Sequence, residues 1–309
     1  MPRLIRAHGL TRRFGHVEAV SDVTFEVPDE AVFALLGPNG AGKTTTVRML
    51  TCLISPTGGS ASFDGLDITA PGDTMEIRRQ VGLLPETPGL YERLSAYKNL
   101  DFHARLYGVP KAKRASNIER LLTMLDVWGR RDDAVTTFSK GMRQKIAIAR
   151  ALVHEPKYLF LDEPTASLDP EASRTVRDFI LGLRHEGATV FLNTHNLDEA
   201  ERVATRIGIL KHRLMAVGSA EDLRGRSGRR EMVAQVVGGA ARFLPAVEAA
   251  GLAGVRAEGA YLRVPVADPE ATGPEVAAAL VAAGARVVSL EHRRPSLEDV
   301  YLGWVEAEP

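Results

Sequence analysis

The chain has 309 residues, with 39 Lys and Arg set against 39 Asp and Glu, so its formal net charge is zero. That balance excludes a surface that binds nucleic acid or anionic lipid throughout, and 45% apolar with 25% charged residues excludes a disordered or membrane-spanning chain. The length corresponds to two domains of about 150 residues each, and the single cysteine, Cys52, allows no internal disulfide and points to a reducing compartment.

No leader peptide is expected, because Pro2, Arg3 and Arg6 interrupt any apolar run at the start. The apolar stretch over residues 276–285 is shorter than the roughly 20 residues a bilayer span needs. In chain order, Val23, Phe25 and Val27 alternate with polar residues as in a half-buried strand. Residues 31–36 form a continuous apolar run ending in glycine, which predicts a strand buried on both faces. Residues 95–151 have helical periodicity without strand signals and predict a helical insertion. Strands and helices then alternate at 158–161, 170–186, 189–192, 197–203 and 206–210. The Gly- and Arg-rich stretch at 225–230 marks a domain boundary, with Arg224, Arg226, Arg229 and Arg230 read as a solvated linker. Beyond it the order reads strand (232–237), helix (241–250), strands (255–257 and 261–266), helix (274–283), strand (286–290) and a short helix from Ser296. This β-α-β-β-α-β order fits a split βαβ fold.

Chemistry concentrates in a few short stretches. GPNGAGKTT matches the phosphate-loop pattern and comprises Gly37, Pro38, Asn39, Gly40, Ala41, Gly42, Lys43, Thr44 and Thr45. It follows an apolar strand and opens a helix, so its backbone N–H groups and the helix start can cradle a phosphate. Lys43 adds a full charge, worth about 4 kcal/mol against one phosphate charge at 4 Å and an effective dielectric near 20. Thr44 can ligate Mg²⁺, a cation that keeps most of its waters. YLFLDEP is an apolar strand ending in Asp162 and Glu163. Asp162 can hold Mg²⁺ through water in the Walker-B manner, and Glu163 can take the proton of an attacking water. Cys52, on the helix after the loop, is expected to be packed core.

Together these residues resemble the ATP-binding subunit of ABC transporters over residues 3–222. Further motifs in the family's order carry the resemblance: Phe14 in TRRFG, FSKGM at 138–142, ASLD at 166–169 and Thr194-His195. The resemblance implies that Phe14 stacks on adenine, that Ser139 and Gly141 of the signature approach the γ-phosphate, and that His195 is the switch histidine. Glu86 stands where the family has its Q-loop glutamine, and a carboxylate there can still reach Mg²⁺ through water. Lys140 and Met142 replace the glycine and glutamine of the usual signature. These departures, and RRPSLEDVYL at 293–302, resemble exporters of drugs, sodium or lipid-linked polymers.

The fold implied is an α/β P-loop NTPase core with an antiparallel β subdomain and a helical subdomain (about 87–152) within residues 1–225. A small C-terminal α+β domain follows over 226–309. The activity implied is ATP hydrolysis with ATP and Mg²⁺ as cofactors. ATP would be held between two head-to-tail subunits, homodimer or paralogue, that drive a separate membrane permease. That permease is expected near the Glu86 loop and the helices of 95–130, where an exposed apolar patch should lie. The subunit would be cytoplasmic, peripheral on the inner face of the membrane, with no nucleic acid partner. Two alternatives remain at this level. One is a soluble ATPase of the superfamily acting on nucleic acid or ribosomes. The other is an ATP-dependent switch that barely hydrolyses, suggested by Glu86. No N-K-x-D guanine motif is present.

Overall fold

The computed structural model describes residues 4–226, 230–293 and 296–306. Residues 227–229 of the expected linker and residues 294–295 of RRPSLEDVYL lie outside them. The chain forms two compact units, Met1–Ala220 and Glu221–Pro309. The division falls a few residues ahead of the composition change at 225, because the contacts of residues 221–226 cluster with the second unit.

In the first unit, β1 (Leu4–Phe14) and β2 (Val17–Pro28) lead into β3 (Val32–Leu36), α1 (Lys43–Leu50), β4 (Gly58–Phe63) and β5 (Leu66–Asp67). Then come α2 (Pro71–Gln80), β6 (Val81–Leu84) and three helices, α3 (Ala96–Leu106), α4 (Lys111–Met124) and α5 (Lys140–Leu152). The unit closes with β7 (Tyr158–Asp162), α6 (Pro170–His185), β8 (Thr189–Thr194), α7 (Leu197–Val203), β9 (Arg206–Lys211) and β10 (Arg213–Gly218).

β1, β2, β4 and β5 form an antiparallel sheet, in the order β2-β1-β4-β5. A second, six-stranded sheet runs β10-β9-β3-β8-β7-β6, parallel except where β10 pairs with β9. Every residue of β3, β7 and β8 is buried, as a sheet covered on both faces requires. Aromatic rings join the two sheets. Phe25 stacks on Phe33 at 5.0 Å and Phe63 meets Tyr158 edge-on at 5.0 Å, while Phe160 and Phe33 flank Phe191 at 5.2 and 5.3 Å. β1 and β2 extend well beyond the alternation at 23–27. Their pairing shifts register three times around Gly9 and Arg12, which scrambles the period-2 pattern.

The helices α3 to α5 form the insertion. Ser95 Oγ caps α3 by accepting from Lys98 N at 3.2 Å. Asn99, 1% exposed, binds both N and O of Tyr91 at 2.8 and 3.0 Å and so ties the loop after Glu86 to α3. Cys52 is buried and its thiol is pushed up to about 11 by desolvation, so it packs as core and is a poor nucleophile.

At the division lies α8 (Ala220–Arg226). The second unit continues with β11 (Arg230–Val236), α9 (Leu244–Ala249), β12 (Arg256–Glu258), β13 (Tyr261–Val266), α10 (Pro269–Ala282), β14 (Val287–Arg293) and α11 (Leu297–Glu306). Its antiparallel sheet runs β12-β13-β11-β14, in the β-α-β-β-α-β order read from the sequence. Met232, Ala234, Val236, Leu262 and Val264 share a core with Val247, Val276 and Leu280. α10 starts earlier than the expected 274, because Asp268 caps it through Glu270 N at 3.0 Å and Pro269 occupies its first turn.

Candidate functional site

The phosphate loop joins β3 to α1, and its glycines are required by space as well as by backbone. A Cβ on Gly37 would stand 2.3 Å from Leu210 O, and one on Gly42, at φ +99°, 2.5 Å from Ala19 O. Gly42 caps α1 in a left-handed conformation with no side-chain acceptor, so the first amides of the helix keep no protein cap. Lys43 is 7% exposed, and its Nζ donates to Gly37 O at 2.6 Å and Pro38 O at 3.2 Å. Burial pushes its pKa down, and the negative charges of Glu163, Asp162 and Glu86 oppose that shift.

Asn193 in β8 lies opposite Asp162 in β7, and its Nδ2 donates to Asp162 Oδ1 at 3.2 Å. Glu163 follows with φ +52°, a left-handed conformation that costs strain in a non-glycine residue. Its N–H donates to Asn193 O at 2.9 Å. In this turn Glu163 Oε1 lies 3.8 Å from Lys43 Nζ and Oε2 lies 2.8 Å from His195 Nδ1. His195 stands just past the end of β8 and is exposed.

A cavity of about 370 Å³ is lined by Ala19, residues 38–45, Glu86 and Glu163. Lys43, Thr44, Glu86 and Glu163 are thereby gathered around one space, while His195 reaches it only through its contact with Glu163 and Asp162 does not line it. The donor set of the Thr44 hydroxyl and the Asp162 and Glu86 carboxylates is all oxygen, which suits a hard cation such as Mg²⁺. Among the described residues no group of three His, Cys, Asp or Glu side chains could hold a metal by itself. Such a cation would therefore take most of its ligands from water and phosphate.

Phe14 and the signature residues stand apart from this cavity. Phe14, at the end of β1, is 47% exposed, and the Arg12 guanidinium covers one face of its ring at 4.5 Å. Ser139 caps α5 through Met142 N at 3.2 Å, and Gly141 lets α5 approach Ala172 of α6, where a Cβ would meet at 3.0 Å. A second cavity, of about 680 Å³, lies beside the signature and shares Glu86 and Glu163 with the first. It is also lined by Phe138, Lys140, Gln144 and Ser167.

Several supporting residues escaped the sequence reading. Asn193 is signalled only by a polar residue inside an otherwise apolar strand. Gln144, on the signature helix, donates to Pro164 O at 2.9 Å and ties that helix to the turn after Glu163. Arg150, farther along α5, donates to Gly89 O in the loop after Glu86.

The ABC transporter family matches residues 20–166, and the ATP-binding protein DrrA1-3-like C-terminal domain matches residues 218–305. The daunorubicin resistance ATP-binding protein DrrA3 of Streptomyces coeruleorubidus is 34% identical over 306 residues, covering 96% of this chain and 94% of its own. The linearmycin resistance ATP-binding protein LnrL of Bacillus subtilis (strain 168) is 29% identical over 304 residues, 97% of each chain. Among solved structures, an ATP-binding subunit of an ABC transporter superposes with a TM-score of 0.67 at 34% identity, covering 73% of this chain and 93% of that one. A loop with the phosphate-loop pattern, a carboxylate pair at a strand end and relatives matched along almost their whole length lead to one assignment: the chain belongs to the ATP-binding, ATP-hydrolysing subunits of ABC transporters.

Proposed function

We propose that this subunit powers an exporter of drug-like molecules by closing on ATP with a second subunit, itself or a paralogue, and reopening after hydrolysis. Relatives named for resistance to daunorubicin and linearmycin support the drug class. The cargo path belongs to a separate permease; among the described residues no helix is long and apolar enough to cross a membrane. Tyr91, Phe102, Leu106 and Tyr107 are exposed around the loop after Glu86, which supports docking of that permease there and a peripheral position on the cytoplasmic face. The relatives offer no support for the nucleic acid alternative.

One observation carries the reading: Glu163 is held between Lys43 and His195 at the mouth of the phosphate loop. Residues 37–45 bind the β- and γ-phosphates through amides, and Lys43 neutralises them. Thr44, Asp162 and, through water, Glu86 would hold Mg²⁺, which when bound neutralises charge on the phosphates. Glu163 takes a proton from water as its oxygen attacks the γ-phosphorus, the bond to the bridging oxygen breaks, and ADP keeps that electron pair. His195 orients Glu163 and reaches the γ-phosphate, while Phe14 stacks on adenine through the face that Arg12 leaves open. Ser139 and Gly141 of the second subunit close the site. Their separation from the phosphate cavity within one chain supports that arrangement.

The test is Glu163→Gln with ATP and Mg²⁺. Retained nucleotide, a doubled mass in solution and turnover lowered by about 10²-fold or more are expected. A Lys43→Ala partner variant should lose nucleotide by roughly 10³-fold, from about 4 kcal/mol of charge interaction. A protein that binds ATP yet stays monomeric with hydrolysis blocked overturns the two-subunit reading.

A further inference from the structure

The turn that carries His195 is locked by a carboxylate that takes no part in the chemistry described so far. Glu199, in the first turn of α7, is 1% exposed, and Thr194, the residue before His195, is 0% exposed. Thr194 Oγ1 donates to Glu199 Oε2 at 2.7 Å and accepts from Asn196 N at 3.0 Å. Asn196 Oδ1 in turn caps α7 by accepting from Glu199 N at 3.1 Å. In an ordinary capping box the acidic side chain would bond the N-cap amide directly. Here the Thr194 hydroxyl stands between them, so the carboxylate grips the end of β8 instead of the helix start.

A side chain needed only as a helix cap would sit in water at little cost, whereas this carboxyl is buried. Burial, together with the nearby charge of Glu163, disfavours its ionised form, and hydrogen bonding to Thr194 and the approach of Thr165 favour it. Among the described residues, none forms a hydrogen bond of good geometry to Glu199 Oε1. Thr165 belongs to the turn after Glu163, whose Pro164 carbonyl accepts from Gln144 of the signature helix at 2.9 Å. Glu199 thus lies where the turn bearing His195 meets the turn bearing Glu163.

We propose that Glu199 is a positioning residue for hydrolysis: by accepting from Thr194 it fixes the turn that holds His195 against Glu163. The proposal rests on the reading of Glu163 and His195 as the hydrolytic pair. It predicts an effect on the chemical step and not on nucleotide binding, because Glu199 does not line the phosphate cavity.

The full chain is prepared as Glu199→Ala, Glu199→Gln, Thr194→Val and Thr194→Ser, with Glu163→Gln as a reference. Phosphate release as a function of ATP concentration and equilibrium ATP binding are measured for each. Glu199→Ala and Thr194→Val should lower kcat about tenfold or more while ATP affinity stays within about twofold. Glu199→Gln, whose amide oxygen still accepts from Thr194, and Thr194→Ser should stay within about threefold of the parent kcat. If Glu199→Ala fails to fold, the Thr194 pair carries the same comparison. Parent-like kcat in Glu199→Ala or, where that variant does not fold, in Thr194→Val overturns the proposal. So does a loss in Glu199→Gln as deep as in Glu199→Ala, or a kcat loss matched by lost ATP binding. Full turnover by Glu163→Gln removes the hydrolytic pair and this proposal with it. Impaired Glu163→Gln beside parent-like Glu199→Ala removes only the role of Glu199.

Discussion

His195 Nδ1 and Glu163 Oε2 are 2.8 Å apart, although 32 positions separate the two residues in the chain. The contact arises because β7 and β8 are parallel neighbours with Asp162 paired to Asn193, so the residues just beyond both strands emerge side by side. Glu163 is mostly buried and His195 exposed, and in the proposed mechanism the imidazole is the arm that turns towards a phosphate while steering the carboxylate.

Removing that arm should separate binding from chemistry. His195→Ala is expected to keep ATP affinity within a few-fold and to lower phosphate release by about 10²-fold, the scale of a lost acid-base or orienting group. Steady-state phosphate release and equilibrium binding check both halves, and weakened binding without slower turnover would contradict it.

Ser139 has a local duty as the cap of α5, through its bond from Met142 N. Ser139→Ala should therefore cost about 1 kcal/mol of stability, read as a small fall in melting temperature. Each copy should still bind ATP. In the Glu163→Gln background the doubled mass should be lost, which sedimentation in the presence of ATP would detect.

Gly42 is constrained twice, by φ +99° and by the 2.5 Å approach of its would-be Cβ to Ala19 O. Gly42→Ala should destabilise the first unit by roughly 1–3 kcal/mol of backbone strain and abolish ATP retention. Gly40, also at positive φ but with no atom within 4 Å of a built Cβ, should tolerate alanine better, and melting curves of the two variants make the comparison.

Acid should weaken the fold through the helical insertion. Burial holds His103 and His154 down to about 4, with Arg150 adding to the effect on His103. In the unfolded chain both titrate near about 6.5, so between about pH 6.5 and 4 the unfolded state binds the extra protons. Their contribution is fully present above that range and is lost as pH falls through it. Denaturant midpoints at about pH 7.5 and 5 should show the drop. His154→Phe keeps a ring to stack on Tyr107, which now lies 3.7 Å from the imidazole, and should flatten the acid limb.

The local motifs were legible because each is a short contiguous run of residues. GPNGAGKTT spells the phosphate-loop pattern within nine residues, and YLFLDE ends a strand in carboxylates whatever surrounds it. The β-α-β-β-α-β order of the second unit was legible from turns and periodicity. Of the long strands β1 and β2 only residues 23–27 were, since register shifts elsewhere break the alternation that marks a strand.

Residue order thus supplied the phosphate-loop and strand-end motifs and, through the family resemblance they carry, the expectation of ATP and the class of enzyme. The partners of each side chain were decided only when the sheet assembled. Asn193 meets Asp162 and His195 meets Glu163 because strand register brings them together. The physical reason is range: an amide cradle closes within a few residues, whereas a hydrogen bond between side chains on separate elements exists only once buried apolar faces have set those elements in place.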